Sequence, residues 1–386
     1  MQNFEFYNPV NIVFGQGQIR KLGKLVPNDT KIMLAYGGGS IFKNGVYDQV
    51  KAALPGYHLI EFGGIEPNPH YETLMKAVEI VKTEKIGFIL AVGGGSVLDG
   101  VKFIAAAALW VGEDPWEFLT NRSLTVTRAI PIGSIITLPA TGSEMNGNSV
   151  VTRLSTQEKL AFNADAVLPV FSILDPTTVF SLPEKQVANG VVDAFVHVIE
   201  QYLTYPVNSP IQDRFAESIL VTLVEEGPKV LANRTDYDSA ANFMWAATMA
   251  LNGLIGAGVP QDWATHTIGH ELTAFYNIDH ARTLAIVLPG IMQVKRESKQ
   301  EKLLQFGERV WGIKAGTSDE RIDATIARTV AFFESVGIPT KLSAYNIGSD
   351  FIKVVCDRFI QRGIKGIGER GDLTVPQIAE VLTLQL

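Results

Sequence analysis

The sequence predicts two domains of different class, a parallel α/β half over residues 1–183 followed by an all-helical half over residues 184–386. Three observations carry this division. From Lys31 to Asp175 short β-rich runs alternate with helical patterns, which is how βαβ units and a largely parallel sheet read in a sequence. After Pro183 apolar residues recur at helical spacing, as in Val191, Val192, Phe195, Val198 and Ile199, then Phe215, Ile219, Leu220 and Leu223. The length of 386 residues also exceeds the roughly 250–300 at which a single hydrophobic core stops growing.

Each element follows from its local chemistry. Ile32 to Tyr36 is an apolar run that stops at Gly37-Gly38-Gly39-Ser40, and Val46 to Leu54 then has helical spacing. His58 to Phe62 is the next strand and Tyr71 to Lys82 the next helix. Gly87 to Val92 is a third strand, ended by Gly93-Gly94-Gly95-Ser96, with Val97 to Ala108 following as a buried helix. Ile132 to Leu138 leads as a strand into Pro139-Ala140-Thr141-Gly142-Ser143-Glu144, Ser149 to Phe162 forms a hairpin, and Val170 to Leu174 closes the half. Ser181 to Gln186 carries a helix start, with Pro183 suited to a first turn, and the domain boundary falls there.

Composition narrows the function. Hydrophobic residues make up 46% and charged residues 19%, so the chain folds as a soluble globular protein. A net charge of −7 gives no electrostatic footprint for nucleic acid or anionic membrane. Cys356 is the only cysteine, which removes intrachain disulfides and thiolate zinc clusters and fits a reducing compartment. The N-terminus lacks the basic-then-apolar order of a secretory signal, and the most apolar stretch, Phe103 to Val111, falls well short of the roughly 20 residues that span a bilayer. A cytoplasmic location without a membrane span is expected.

Two patterns carry chemistry. Gly93 to Ser96 joins a strand to a helix, where backbone can approach a phosphate and the free N–H groups of the helix start favour an anion; a tight turn is the alternative. Gly37 to Ser40 repeats the arrangement one βαβ unit earlier, which strengthens the dinucleotide reading. In the helical half, Asp193 and His197 are four residues apart and share a helix face, as do His266 and His270, with His280 ten residues further on. Asp193 and His197 alone could be a surface pair, but Val192, Phe195 and Val196 make their surroundings apolar, and a metal ion resolves the cost of a buried charge. Imidazoles with one carboxylate suit Fe2+ or Zn2+, not magnesium or calcium. A divalent ion with an open position polarises a carbonyl as hydride arrives, so cofactor turn and metal set form one mechanism.

With these residues in view, the chain resembles the iron-containing, group III alcohol dehydrogenases, and within them the butanol dehydrogenase-like, NADPH-dependent aldehyde reductases. The likeness runs from Ile12-Val13-Phe14-Gly15-Gln16-Gly17 through Gly93 to Asp99 and Leu138 to Glu144, then through Asp193 to Glu200 and His266 to His280. It implies an N-terminal Rossmann-like domain, a helical C-terminal domain of the dehydroquinate synthase-like kind, an active site in the cleft between them, and a homo-oligomer, a dimer. It further implies Asp193, His197, His266 and His280 as metal ligands and His270 as a non-ligand facing the substrate. Gly94, Gly95, Ser96 and Asp99 would hold the pyrophosphate and nicotinamide side, with Thr137, Ser143 and Lys159 lining the rest. Members that prefer NAD resemble the pattern with Asp in the turn matching Gly37 to Ser40. Here Gly37, Gly38, Gly39 and Ser40 offer no carboxylate and Lys43 is near, so NADP(H) is the expected cofactor. His280-Ala281 stands where many members have His-Gly, and Met145 to Asn148 departs after Glu144.

The expected activity is hydride transfer between NADP(H) and a small alcohol or aldehyde, in the reductive direction. Phe243, Leu251, Leu254, Ile255 and Phe275 suggest an undemanding pocket or simply core. A glycerol dehydrogenase-like polyol enzyme and a non-catalytic nucleotide-binding protein are the alternatives. A dehydroquinate synthase would carry cations for a phosphorylated substrate, and Gly253 to His280 contains no Lys or Arg.

Overall fold

The computed structural model describes residues 1–121 and 123–386. The chain groups into two compact units, one of Tyr7–Pro183 with Asn233–Thr248 and the other of Met1–Phe6, Glu184–Ala232 and Met249–Leu386.

The first unit is built on six parallel strands: β1 (Asn11–Phe14), β2 (Ile32–Tyr36), β3 (Leu59–Phe62), β4 (Phe88–Gly94), β5 (Ile132–Leu138) and β8 (Phe171–Leu174), ordered β1-β8-β5-β4-β2-β3. Helices α1 (Ser40–Lys43), α2 (Val46–Ala53), α3 (Tyr71–Glu84), α4 (Gly95–Ala107) and α5 (Glu117–Thr120) connect them, and β6 (Asn148–Arg153) pairs with β7 (Glu158–Asn163) as the hairpin. The near-continuous apolar runs of β2, β4 and β5 reflect burial, since a doubly wound sheet is covered on both faces. Their interior-facing residues join Ile19, Leu22, Ile41 and Val50 in one core cluster.

Chain order reverses between β2 and β4: the chain leaves β2 for β3 on one side and returns to β4 on the other. Ligands of open α/β sheets bind at the carboxyl ends of strands at such a switch point. Both glycine turns stand there, one after β2 and one after β4. Strand β4 extends two residues beyond its sequence-predicted end, to Gly94, with a break in its pairing to β5 between Gly93 and Gly94. Residues without Cβ let the strand continue irregularly up to the helix start.

The second unit is helical: α6 (Glu184–Tyr202), α7 (Pro210–Ala232), then α9 (Ala264–Tyr276), α10 (His280–Val294), α11 (Gln300–Arg309), α12 (Ser318–Ser335), α13 (Asp350–Gln361) and α14 (Val375–Thr383). Its one departure from the all-helical expectation among the described residues is a two-stranded ladder of two residues each, β9 (Gly366–Ile367) with β10 (Leu373–Thr374). Every residue of α6 from Val187 to Tyr202 is buried, so polar side chains on this helix face interior and not water. Phe195 anchors it among Phe306, Phe332 and Phe333, with ring centroids 5.4–6.2 Å away.

Helix α8 (Tyr237–Met249) follows the predicted boundary in sequence yet packs on the sheet unit. Trp245 meets Phe14 edge to face at 5.9 Å, the Tyr237 hydroxyl accepts from the Gln16 N–H at 3.3 Å, and the Thr248 hydroxyl bonds Glu144 at 2.5 Å.

Candidate metal centre and glycine-rich turns

Helix α6 presents one polar stripe to the interior of its unit. Asn189, Asp193 and His197 follow one another at every fourth position and share a face, with Glu200, seven residues after Asp193, beside them. Asp193 and His197 are 3% and 4% exposed. An unpaired carboxylate at that depth would be expensive, and Oδ1 of Asp193 makes no hydrogen bond. It lies 3.9 Å from Nε2 of His197 and 3.8 Å from Nε2 of His280. These gaps exceed a hydrogen bond. They come near the roughly 3.3–3.6 Å between tetrahedral ligands that each sit about 2.0–2.2 Å from one shared ion.

His266 completes the group: one donor atom each from Asp193, His197, His266 and His280 lies within 4.8 Å of the others. The rings of His197 and His266 are nearly parallel at 4.8 Å, and those of His266 and His280 meet at 5.0 Å. Three imidazoles and one carboxylate in an apolar interior are the donor chemistry of Fe2+ or Zn2+, so the residues fit the metal that the sequence suggests. His270, one turn after His266, adjoins the group from outside, with ring centroids 6.2 Å from His266 and 5.4 Å from His280.

The supports of these ligands were not read from the sequence. Glu200 is 2% exposed; one oxygen accepts from the Thr265 N–H at 2.6 Å and the other bonds Nδ1 of His266, which aims Nε2 at the cluster. Burial, with the Asp262 charge nearby, pushes the Glu200 carboxyl up to about 8. Asp279, immediately before His280, is gripped by Lys185 at 2.7 Å and by the Asn189 amide at 2.9 Å. Thus α6 supplies two members of the group and fixes the other two through their surroundings. The spacing of Glu200, seven residues after Asp193 on the same face, was the available signal.

The glycine turns have steric reasons. A Cβ on Gly95 would stand 2.3 Å from the Thr141 hydroxyl oxygen, one on Gly93 2.5 Å from Val97, and one on Gly94 3.0 Å from Leu138. Helix α4 starts without a side-chain cap and without an acidic residue in its first turn, leaving its first N–H groups and dipole available to an anion. Gly39 has φ 92°, which favours glycine, and neither Gly38 nor Gly39 would meet backbone with a Cβ.

Ser96, Asp99, Thr137, Ser143 and Lys159 all lie in the sheet unit. The Ser96 hydroxyl accepts from the Asn68 N–H at 3.4 Å, and Lys159 donates to the Asn68 side chain at 2.9 Å. Thr137 is buried near the end of β5. Asp99 accepts from the Ser143 hydroxyl at 2.7 Å and from the Val150 N–H at 3.0 Å. Ser143 in turn accepts from Lys102 at 2.7 Å, and Lys102, 1% exposed, also donates to the carbonyls of Asn146 and Asn148, both at 2.8 Å. Lys102 thereby pins the segment after Glu144 to α4. Burial pushes the Lys102 ammonium down to about 8 and the Asp99 and Glu144 carboxyls up.

Of the apolar residues considered for a pocket, Phe243 and Ile255 are core, and Phe275 packs on Phe351 at 5.8 Å and under the Arg358 guanidinium at 4.9 Å. Among the described residues no helix is long and apolar enough to cross a membrane.

Comparison with known proteins places this geometry in a wider set. Residues 9–176 match the family model of iron-containing alcohol dehydrogenases, and residues 187–383 match the C-terminal model of the Fe-containing alcohol dehydrogenase family. The NADPH-dependent aldehyde reductase YqhD of Escherichia coli K12 is 55% identical over 376 residues, covering 97% of each chain. A probable NADH-dependent butanol dehydrogenase of Bacillus subtilis 168 is 40% identical over 371 residues, 95% of each chain. The crystal structure of E. coli K-12 YqhD superposes with a TM-score of 0.98 at 53% identity, over 100% of this chain and 99% of that one. That of NADH-dependent butanol dehydrogenase A from Thermotoga maritima gives 0.95 at 36% identity, over 100% and 99%.

Proposed function

This chain belongs to the iron-containing alcohol dehydrogenase family, a family of metal-dependent oxidoreductases, and on that premise we propose that it reduces small aldehydes to alcohols with NADPH. The observation that carries the reading is the group of one carboxylate and three imidazoles within 4.8 Å, with Asp193 and His197 buried and the rest partly so. Asp193, His197, His266 and His280 are its metal ligands, with Fe2+ or Zn2+ as the ion; residues 184–386 are the metal-binding catalytic domain and residues 1–183 the dinucleotide-binding domain. The polyol and non-catalytic alternatives are not favoured, since the ligand set is intact and a near full-length relative is an aldehyde reductase.

When bound, the ion supplies Lewis-acid polarisation of the substrate carbonyl. The chain's own residues do the rest. Glu200 holds the His266 ring by Nδ1, and Lys185 with Asn189 fixes the start of α10, so that the donor atoms are preorganised. His270 stands beside the ligands and delivers a proton to the oxygen of the product alcohol. Gly94, Gly95 and Ser96 present the free N–H groups of α4 to the cofactor pyrophosphate. Asp99, Thr137, Ser143 and Lys159 line the remainder, their positions set by the Lys102 and Asn68 bonds.

Relatives differ in cofactor, some named NADPH- or NADP-dependent and others NADH-dependent, so the choice is argued from the turn. Gly37 to Ser40 carries no carboxylate to repel a 2′-phosphate, while backbone N–H groups, the Ser40 hydroxyl and exposed Lys43 can receive one. The enzyme's partners are proposed to be its small substrate and a second copy of the chain, and its place the cytosol, where Cys356 stays reduced. The test is steady-state reduction of several aldehydes with each cofactor. NADPH is expected to give the far higher kcat/KM, and Gly39→Asp to shift the preference toward NADH; equal efficiency with both in the parent enzyme overturns the reading of the turn.

A further inference from the structure

Trp263, immediately before α9, has φ 60° and ψ 11°, the left-handed region. The other non-glycine residues with positive φ are Asn68, Lys85, Gln157, Asn208, Asn277 and Asn346 among those described, so Trp263 is the one aromatic ring held this way. For a bulky side chain this conformation is strained and persists only where the surroundings over-determine it.

Here they do. On the N-terminal side the Asp262 N–H donates to the Glu200 carbonyl at 2.8 Å, and its carboxylate accepts from the Ala264 N–H at 2.9 Å and meets Lys299 at 2.6 Å. Lys299, 3% exposed, is held in turn by Glu369 at 2.7 Å and the Leu203 carbonyl at 2.6 Å. On the C-terminal side the Trp263 carbonyl accepts from both the N–H and the hydroxyl of Thr267, at 3.0 and 2.8 Å. What the strained backbone achieves is the position of the indole. Its ring stands edge to face on His266 at 5.2 Å and tilted on His197 at 6.3 Å, while its N–H donates to the Gln261 side chain at 2.9 Å.

Residues 263, 266 and 270 lie along one face of the α9 segment, so two non-ligand rings flank His266. Trp263 borders the His197–His266 side and His270 the His266–His280 side. One flank is apolar and the other polar.

We propose that Trp263 is a specificity-determining residue, the apolar wall along which the hydrocarbon part of the aldehyde lies while its oxygen faces the His270 side. This rests on the reading of Asp193, His197, His266 and His280 as the catalytic metal site. The site then favours unbranched aliphatic aldehydes and disfavours those whose carbon next to the carbonyl is charged or heavily branched.

The test uses the full chain with Trp263→Gly, which accepts the left-handed backbone, and Trp263→Phe, which keeps a ring. The kcat/KM ratio for 2,2-dimethylpropanal over butanal is expected to rise about tenfold or more in Trp263→Gly and to change little in Trp263→Phe. KM for NADPH stays at the parent value. A readout independent of turnover is tryptophan emission on titrating metal-free protein with Co2+: the parent is quenched through Trp263, one of five tryptophans, and Trp263→Phe loses that quenching. An unchanged aldehyde ratio in Trp263→Gly with Co2+ still bound overturns the wall alone. Absence of stoichiometric Co2+ binding by the parent overturns the metal-centre reading and the wall with it.

Discussion

Glu200→Gln isolates the support of one ligand without touching the ligand. In the parent, one Glu200 oxygen accepts from the Thr265 N–H at 2.6 Å and the other bonds Nδ1 of His266, both inside a site where Glu200 is 2% exposed. With an ion on Nε2, the His266 Nδ1 carries the proton and an ionised Glu200 accepts at both oxygens, whereas a glutamine has one acceptor and one donor. If its oxygen serves Thr265, its amide NH2 faces Nδ1 and drives the imidazole proton onto Nε2, the atom needed by the ion. If the amide turns over, NH2 faces the Thr265 N–H and a buried donor is stranded, at about 1–3 kcal/mol. Either outcome weakens the ligand. Loss of such a supporting hydrogen bond lowers metal affinity about 10–100-fold, or about 1.4–2.8 kcal/mol. Competition against a chelator of known affinity reads this directly, with circular dichroism of the metal-free variant as the control for folding. A parent-like affinity in a folded Glu200→Gln variant would refute the claim that this carboxylate orients His266.

Two further substitutions separate the roles assigned above. His270→Ala should retain a full equivalent of metal and lose most of kcat, because the residue adjoins the ligands without belonging to their four-atom group; loss of metal first would make it a support of the centre instead. Lys102→Met leaves the Asn146 and Asn148 carbonyls without their buried donor, at about 1–3 kcal/mol of stability for each, and should raise KM for NADPH. Burial pushes Lys102 from 10.5 to about 8, so between those values the unfolded chain binds the extra proton and this group's contribution to stability rises with pH. The variant should lack that rise in a pH series of denaturant titrations; an identical slope above pH 8 would contradict it.

Much of the fold was legible because its signals are local. Ile32 to Tyr36 and Ile132 to Leu138 are β-rich runs bounded by glycine or proline, and their strands have those same ends. Strand β1 was not separated as an element, since four residues between Asn11 and Phe14 give too short a pattern. The i, i+4 pairs on α6 and α9 were legible for a similar reason, because helix geometry alone puts Asp193 with His197 and His266 with His270 on common faces. Whatever depends on tertiary approach was not. The grip of Lys185 and Asn189 on Asp279 spans about ninety residues, and nothing local marks it. Packing of α8 on the sheet unit depends on Phe14 and Gln16, more than two hundred residues earlier. The left-handed backbone of Trp263 is likewise invisible in a sequence where tryptophan would ordinarily avoid it.

We propose that one ion held by Asp193, His197, His266 and His280 makes this chain an aldehyde reductase. The most direct test is metal titration of stripped enzyme, following NADPH consumption with butanal while bound metal is counted. The stripped protein should show no turnover, with recovery complete at one equivalent of Fe2+ or Zn2+ per chain, and no recovery in Asp193→Ala, which removes the carboxylate oxygen 3.8 Å from His280 Nε2 and 3.9 Å from His197 Nε2. Full activity in demonstrably metal-free protein, or undiminished one-equivalent binding by Asp193→Ala, would contradict it.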